Sequence, residues 1–486
     1  WQGIFDRMRR LHLIPVIRLA TKVENGAWVK PRVEDIGSWV DFLNSLNWVI
    51  ENRYVIIFNE PNHAKEWGNE VNPEEYGWYL KEYSRRLKEK SPDFFILPAG
   101  LDASAPDGYD TMDEVTFLRR MVNKEPDAFT FIDGWTSHSY PNPDFSGSPD
   151  ANNRGSIRTY IWELAQLTRL GLVRDLPVMI AETGWRHTDG KYKELSYSTP
   201  DKVAVNFTTS YQNAWNNPQL FAVIPFLLNY QAEPFDHFSW KKFGTNEFYP
   251  IFDKVRALPK TLGKPLQNDT AVILDSVFPE KLVTDSEYTF YIDIENRGQT
   301  MLGHEEGWKL SISGLPDTFS TFTTRLATID PYQRTRAEAR IQTPMTLGSY
   351  KFRFELTKGD KVIAEKINSV TLIPPPSLLV KAREWLKGNR LGQRYSLLIY
   401  NSDQKLIHKT ENLVFRNGNT EISNLYNVIP YQTYRLVLTK LYYLPRQILI
   451  QLNEGQTQVE FPPLLPFDPS GDGALNPSDI GAFLKR

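Results

Sequence analysis

The sequence predicts a multidomain protein: a (β/α)8 TIM barrel that lacks its first strands, then two β-sandwich domains and a short EF-hand-like tail. Short apolar runs alternate with helical patterns in the first 265 residues, apolar residues recur at every second position after about residue 268, and acidic residues cluster near the carboxyl end. A chain of 486 residues is long enough for two to four domains. The predicted boundaries are 1–265, 268–373, 377–462 and 466–486.

Six short apolar runs predict the parallel strands of the barrel. Near-continuous apolar strands indicate a parallel sheet that is covered by helices. A closed barrel takes eight strands, so we expect two further strands upstream of Trp1. A doubly wound open sheet is the alternative, but the sequence has no Gly-rich phosphate loop, and polar residues follow the strands. The six runs are 13–19, 54–58, 94–97, 132–135, 178–181 and 221–228.

Helical patterns lie between these runs, and the one that begins at residue 72 is the easiest to recognise. Asn72 is a typical capping residue, Pro73 suits the first helical position, and two acidic side chains follow in the first turn. Tyrosine and leucine then recur at helical spacing until Pro92 ends the pattern. Further helices are predicted near 34–46, 156–171 and 201–215, and the residues after Trp1 resemble the interior of a helix.

After residue 268 the pattern is typical of half-buried antiparallel strands. Tyr288, Phe290, Ile292 and Ile294 alternate with polar residues, which predicts an Ig-like β-sandwich over 268–373. The proline run 374–376 indicates a linker. A second small sandwich is predicted over 377–462, from strands near 395–400, 434–438 and 447–452.

Composition excludes several classes of function. A net charge of −2 gives no basic surface for nucleic acid. The absence of cysteine excludes disulfides and thiolate metal sites. No apolar run reaches the roughly 18 residues that a membrane-spanning helix needs. The seven histidines form no zinc-protease motif, and a serine nucleophile elbow is missing. Aromatic residues make up 13% of the chain, and they can fill large cores or stack on sugars.

Two glutamates follow predicted strands at the face where barrels carry their reactive groups. Glu60 follows the run 54–58, and Glu182 follows the run 178–181. Cleavage of a glycosidic bond needs one carboxyl group to protonate the departing oxygen and another to attack or stabilise the sugar. Three strands of separation place such groups across the barrel mouth from each other. A single glutamate at a strand end can instead cap a helix or pair with arginine, but two such motifs favour a catalytic pair.

These motifs resemble clan A of the glycoside hydrolases. The segment from Asn59 to Asn62, with Trp67 a few residues later, is similar to the family 39 signature, and family 5 shares its Asn-Glu-Pro sequence. The resemblance implies a retaining glycosidase in which Asn59 binds the sugar 2-hydroxyl, Glu60 is the acid/base and Glu182 is the nucleophile. It also implies a secreted or cell-surface protein that acts on a polysaccharide or oligosaccharide and needs no cofactor for catalysis.

The same resemblance suggests further sugar contacts. His138 and Tyr140 follow the sixth strand of the family's barrel, where clan members carry residues that contact the nucleophile and the sugar. Trp240 is similar to the stacking tryptophan of the eighth strand. The remaining candidates at the barrel mouth are Arg18, Trp185, Asn229 and Glu233.

Two alternatives to hydrolysis stay open at this point. One is a non-catalytic carbohydrate-binding or scaffold protein with a degenerate barrel, whose sugar affinity would survive removal of either glutamate. The other is a transglycosylase, which shares the covalent step and differs in whether water or a sugar completes the reaction.

The carboxyl end carries the spacing of a calcium loop. Oxygen ligands are predicted at positions 1, 3, 5, 7, 9 and 12, and Gly473 stands at the sixth position, where the turn requires glycine. The loop resembles one of the two repeats of a dockerin, so we expect calcium-dependent ordering of the tail. A dockerin that binds a cohesin-type partner has two such repeats, and a single repeat argues against that partner. An ordinary Asp/Gly turn is the alternative. The six ligands are Asp468, Ser470, Asp472, Ala474, Asn476 and Asp479.

Overall fold

The computed structural model describes residues 1–172, 174–260, 262–274, 278–385 and 394–484. The chain is a mixed α/β protein that divides into two compact units, Trp1–Asn268 and Asp269–Arg486. Each unit has hydrophobic cores of its own. In the part of the chain that the structure describes, no helix combines the length and the apolarity that crossing a membrane requires.

The first unit alternates strands and helices along the chain. Its helices are α1 (Gln2–Arg10), α2 (Asp35–Ser45), α3 (Pro73–Lys90), α4 (Glu114–Lys124), α5 (Thr159–Arg169), α6 (Pro200–Gln212) and α7 (Pro250–Arg256). Its strands are β1 (Val16–Arg18), β2 (Val23–Glu24), β3 (Ala27–Trp28), β4 (Arg53–Ile57), β5 (Phe94–Pro98), β6 (Trp135–His138), β7 (Val178–Thr183) and β8 (Leu220–Pro225).

Six of these strands are parallel and follow chain order in two three-stranded sheets, β1-β4-β5 and β6-β7-β8. Asp133 connects the two sheets, because its backbone N–H donates to the Ile96 carbonyl at 2.8 Å and its carboxylate accepts from the Ile96 N–H at 2.7 Å. Among the described residues β1 and β8 are both edge strands, so the predicted eight-stranded barrel is not closed by them. Six strands cannot complete a ring that needs eight.

Both faces of the parallel strands are buried. Side chains alternate along a strand, so on β4 Val55 and Ile57 pack under the helices, whereas Ile56 packs on the opposite face. There it contacts Leu97 of β5 and Met179 of β7 in one cluster. Burial on both faces explains why these strands are continuous apolar runs rather than alternating patterns.

The predicted helix at residue 72 is present, and its cap is formed as expected. The Asn72 side chain accepts a hydrogen bond from the Glu75 N–H at 3.0 Å, and Pro73 occupies the first turn of α3. Helix α4 was not predicted, although Asp113 caps it by accepting from the N–H groups of residues 115 and 116.

The strand predicted at 132–135 is displaced towards the carboxyl end. Strand β6 begins at Trp135 and continues through Thr136, Ser137 and His138, all of which are buried. Because most of its side chains are polar, hydrophobicity did not mark it. Gly134 directly precedes the strand. A Cβ at residue 134 would lie 2.8 Å from the Pro177 carbonyl oxygen, so only glycine allows the two backbone segments to come this close.

The second unit consists of β-sheets followed by one helix, α8 (Pro477–Leu484). Its strands are β9 (Ala271–Ile273), β10 (Lys281–Val283), β11 (Glu287–Asn296), β12 (Trp308–Ser313), β13 (Ser320–Thr323), β14 (Arg334–Gln342), β15 (Gly348–Lys358), β16 (Lys361–Ile373), β17 (Ser377–Lys381), β18 (Tyr395–Tyr400), β19 (Leu406–Leu413), β20 (Asn419–Ile422), β21 (Thr433–Lys440), β22 (Tyr443–Gln451) and β23 (Gln456–Glu460).

Two pairs of sheets enclose the two cores of this unit. Sheets β10-β16-β15-β12 and β13-β14-β11-β9 surround the first, and β20-β17-β23 with β19-β18-β21-β22 surround the second. On β11, Tyr288, Ile292 and Ile294 are buried, as the alternating pattern predicted, whereas Tyr291 is exposed. The tail has one described helix after its loop, so it is not an EF-hand, which needs a helix on each side.

Candidate functional site

A cleft of about 490 Å³ opens at the carboxyl ends of the parallel strands in the first unit. This volume is within the range of small-molecule sites, which is roughly 300–1,000 Å³. Carboxylates and cations lie along it beside aromatic rings. Its charged lining residues are Arg18, Glu60, His63, Glu66, Asp102, Glu182 and Arg186, and its aromatic ones are Trp28, Phe58, Trp67, Tyr140, Phe145, Phe226, Phe235 and Phe238.

Glu60 enters the cleft from the segment that follows β4. The backbone there is unusual, since Phe58 has φ +69° and Glu60 has φ +33°, in the left-handed region that L-residues rarely adopt. The Glu60 N–H donates to the Gly100 carbonyl at 3.1 Å, which holds the turn to the end of β5. Strained backbone of this kind is concentrated at functional sites. The Glu60 side chain is 22% exposed.

Glu182 is the penultimate residue of strand β7, and its side chain is 13% exposed. One oxygen accepts from the Arg18 guanidinium at 2.5 Å, and the other accepts from the Tyr140 hydroxyl at 3.0 Å. Burial alone would raise the pKa of this carboxyl. The positive charges of His138 and Arg18, with the hydrogen bonds from Arg18 and Tyr140, outweigh burial and hold the pKa of Glu182 below its ordinary value.

His138 lies between the two glutamates. Its Nδ1 is 2.7 Å from Glu60 Oε1 and 3.9 Å from Glu182 Oε2, and its side chain is 2% exposed. Burial lowers the pKa of the imidazole, but the two carboxylates outweigh this effect and raise the pKa to about 8. The imidazole is therefore protonated at neutral pH and donates to Glu60. A Cβ at residue 100 would lie 2.2 Å from this ring, so glycine is required there.

The two carboxylates converge as well. Single ligand atoms of Glu60, His138 and Glu182 all lie within 4.8 Å of one another. Two carboxyl groups about 5–5.5 Å apart are typical of retaining glycosidases, whereas inverting enzymes separate them by about 6.5–9.5 Å. The arrangement can therefore supply, within one small gap, a carboxylate for attack and a carboxyl group for proton transfer.

Arg18 and Asn59 complete the group of predicted residues that the fold brings together. Arg18 Nη1 donates to Asn59 Oδ1 at 2.6 Å while it also contacts Glu182. The Asn59 amide donates to Glu66 Oε2 at 3.3 Å. Strands β1, β4, β6 and β7 thus supply one connected network, and each contributes at its carboxyl end.

Two predicted sugar contacts lie elsewhere. Trp185 is 1% exposed, packs against Phe207 and donates its indole N–H to the Gly147 carbonyl at 2.8 Å. Trp240 is 7% exposed and also packs against Phe207. Neither ring lines the cleft, because α6 offers both of them a buried apolar surface. Asn229 and Glu233 are exposed residues outside the cleft lining.

Several lining residues were not found from the sequence. Phe226, directly after β8, lines the cleft, whereas Trp240 does not. His63 Nε2 lies 3.0 Å from Asp102 Oδ2, and this hydrogen bond raises the pKa of His63. Burial raises the pKa of Glu66. Asp102 comes shortly after β5, so the strand-end rule that identified Glu60 could also have identified it.

The loop 468–479 brings three of its predicted calcium ligands together. Carboxylate oxygens of Asp468, Asp472 and Asp479 lie within 4.8 Å of one another. Backbone N–H groups and the Ser470 hydroxyl donate to them, the latter at 2.7 Å to Asp479. The Asn476 amide donates to Asp472 at 2.7 Å. An oxygen-only donor set of this charge fits a hard divalent cation.

Comparisons with known proteins add little to this geometry. No protein-family model matches the chain, and no curated protein matches it in sequence. Solved structures that it resembles include a family 39 glycoside hydrolase from Bacteroides cellulosilyticus WH2, with 14% identity and a TM-score of 0.37 over 70% of each chain. A family 51 α-L-arabinofuranosidase from Bifidobacterium longum has 8% identity and a TM-score of 0.35 over 87% of this chain and 77% of that one.

A third similar structure is BcpA, the major pilin subunit of Bacillus cereus, in a variant form. It has 13% identity and a TM-score of 0.20 over 40% of this chain and 69% of that one. At such TM-scores a likeness carries no functional argument, so the function has to be argued from the residues of the cleft.

Proposed function

We propose that the chain is a retaining glycoside hydrolase whose first unit belongs to a (β/α)8-type barrel. Glu182 is the nucleophile, Glu60 is the acid/base, and the substrate is a polysaccharide or oligosaccharide. The observation that carries the proposal is the approach of the two carboxylates to within 4.8 Å around His138 in an aromatic-lined cleft.

In the first step a Glu182 oxygen attacks the anomeric carbon. The bond from that carbon to the departing oxygen breaks, and Glu60, which reacts in its protonated form, gives its proton to this oxygen, so the released sugar or aglycone carries a hydroxyl group and Glu60 becomes a carboxylate. Nucleophilic attack needs an ionised carboxylate. The lowered pKa of Glu182 supports this role, because Arg18 and Tyr140 favour its charged form.

In the second step a water molecule attacks the anomeric carbon of the glycosyl–Glu182 ester. The ester bond breaks, Glu182 leaves as a carboxylate, and the water proton goes to Glu60. Two displacements at one carbon restore its configuration, and the net change is addition of one water across the glycosidic bond. His138 stabilises the carboxylate of Glu60 between the steps, since its protonated Nδ1 is 2.7 Å away.

The experiment compares Glu182→Ala and Glu60→Gln with the parent chain on activated aryl glycosides and polysaccharides. Each variant should lose at least about 10³-fold in kcat. NMR of the first-formed product should show retained anomeric configuration. Glu74→Gln, in an ion pair with Arg120 on the helical surface, is the matched control. Turnover that survives in Glu182→Ala, or a product of inverted configuration, would remove the assignment. If the parent chain shows no turnover and both variants bind sugar as tightly as the parent, the chain is a non-catalytic binding protein.

We also propose that the loop 468–479 binds Ca²⁺. Three carboxylates in close contact repel one another, and a divalent cation between them would remove that repulsion. Ala474 would contribute its backbone carbonyl at the seventh position. A cohesin-type partner would require this calcium-ordered state.

A further inference from the structure

Among the residues that the structure describes, Arg186 is a cation of the cleft without a carboxylate partner. The Arg18 guanidinium forms an ion pair with Glu182 at 2.5 Å, and His63 lies 3.0 Å from the Asp102 carboxylate. Arg186 has no carboxylate within 4.0 Å in the part of the chain that the structure describes. There its one hydrogen bond runs from Nη1 to the Tyr197 hydroxyl at 3.2 Å. The positive charge of Arg186 is therefore not neutralised by the protein around it.

Aromatic rings hold this guanidinium in place. Its central carbon lies 4.6 Å from the centre of the Phe145 ring, 5.4 Å from that of Tyr197 and 5.6 Å from that of Phe238. The side chain is half-buried, and Nε is buried without an acceptor among the described residues. The rings remove water from the faces of the guanidinium, so an anion at its edge would be attracted more strongly than in bulk solvent.

We propose that Arg186 binds an oxyanion on the substrate, so the enzyme acts on an acidic glycan. This rests on the proposed function for the identity of the cleft. The oxyanion is the carboxylate of a uronic acid or a sulfate ester, since a guanidinium pairs well with both.

A neutral sugar would leave the Arg186 charge partly desolvated and without a partner, which is costly. An acidic sugar supplies the missing acceptor at a position fixed by the surrounding rings. Arg186 is thus a specificity-determining residue. Its role is separate from the proton transfers at Glu60 and the nucleophilic attack by Glu182, because its contacts are with Phe145, Tyr197 and Phe238.

Binding to the inactive Glu182→Ala chain tests the proposal without turnover. Calorimetry would compare uronate oligosaccharides with their carboxyl-reduced counterparts, and sulfated glycans with their desulfated counterparts. We expect one acidic member to bind about tenfold or more tightly than its neutral counterpart. The arm that shows the preference identifies the oxyanion. Equal affinity within both pairs would overturn the proposal.

Replacing Arg186 separates charge recognition from packing. Arg186→Met keeps the apolar stem beneath the rings and should abolish the acidic preference, because acidic sugars bind more weakly while neutral-sugar affinity does not fall. Arg186→Lys should keep part of the preference. Arg120→Met, on the outer surface of α4, is the control and should change neither affinity. A preference that persists in Arg186→Met, or an equal loss of acidic and neutral binding, would contradict the proposal. Turnover by Glu182→Ala would refute the glycosidase assignment but leave this binding preference measurable.

Discussion

At the residue scale, the charge state of Glu182 reflects opposing physical effects. Burial penalises the carboxylate, and the cations Arg18 and His138 favour it, with a further hydrogen bond from Tyr140. The environment of Tyr140 shifts its pKa in the opposite direction. Burial and the negative charges of Glu182 and Glu60 raise the pKa of the phenol well above 10.0. Tyr140 therefore stays a neutral hydrogen-bond donor throughout the pH range in which Glu182 is ionised.

Tyr140→Phe should weaken the proposed nucleophile. Loss of the donor removes a contribution that lowers the pKa of Glu182, so that pKa rises and the acidic limb of the kcat/KM profile moves to higher pH. Loss of a hydrogen bond to a charged group should lower the acid dissociation constant of Glu182 by about 10- to 100-fold. The measurement is the pH dependence of kcat/KM for the variant and for Tyr192→Phe, an exposed control. An acidic limb that stays in place would show that Tyr140 does not set the ionisation of Glu182.

At the scale of elements, helices α4 and α5 bury a pair of glutamates behind β6. Glu114 is 0% exposed and Glu163 is 1% exposed, and the Trp135 indole donates to Glu163 at 3.0 Å. Burial raises the pKa of both carboxyl groups above 4.5, and for Glu114 the neighbouring Glu163 adds to it. The folded chain therefore binds more protons than the unfolded chain as pH rises above about 4.5.

Glu163→Gln should stabilise the chain at alkaline pH. A carboxyl group with a raised pKa in the folded state costs stability as pH rises, because folding must keep it protonated or bury its charge. The amide has no such cost, so the variant should unfold at a higher temperature than the parent at pH 8. At pH 4 the difference should be small. Thermal unfolding at both values, with the exposed Glu89→Gln as control, measures the effect. An equal difference at the two pH values would mean that ionisation is not its cause.

At the scale of the whole molecule, the proposed catalytic residues and the acidic loop belong to different compact units. Glu60 and Glu182 lie in Trp1–Asn268, and the loop 468–479 lies in Asp269–Arg486. The Asp468 N–H donates to the Tyr442 carbonyl at 3.2 Å, and the Leu444 N–H donates to the Leu465 carbonyl at 2.9 Å. The start of the loop is thus attached to the second core of its own unit.

Removing Ca²⁺ should therefore affect stability without affecting turnover. Chelation leaves the carboxylates of Asp468, Asp472 and Asp479 mutually repulsive, so the second unit should unfold at a lower temperature. A cation that binds only the folded state stabilises it by about 2.7 kcal/mol at a concentration 100 times its Kd. Differential scanning calorimetry with Ca²⁺ or EGTA measures this, and Asp472→Asn should reduce the difference. Identical scans in the two buffers would exclude the site, and loss of activity on chelation would contradict the separation of roles.

Local patterns made much of the first unit predictable. Continuous apolar runs identified the parallel strands, and the Asn72-Pro73 pair identified the start of α3. Strand ends also directed attention to Glu60 and Glu182, because the carboxyl ends of parallel strands meet at one face. The bounds of polar β6 were misplaced, since burial of Ser137 and His138 depends on neighbouring strands and helices rather than on their own hydropathy.

By itself, the sequence determined element types, the change from parallel to antiparallel sheet and the two principal glutamates, because periodicity and strand ends are local properties of the chain. The tertiary structure decided that Trp185 and Trp240 are buried, that Phe226 lines the cleft, that the six strands remain open, and that Arg186 lacks a carboxylate among the described residues. Burial and ion pairing are set by contacts between segments far apart in the chain, and no local pattern records which segments will meet.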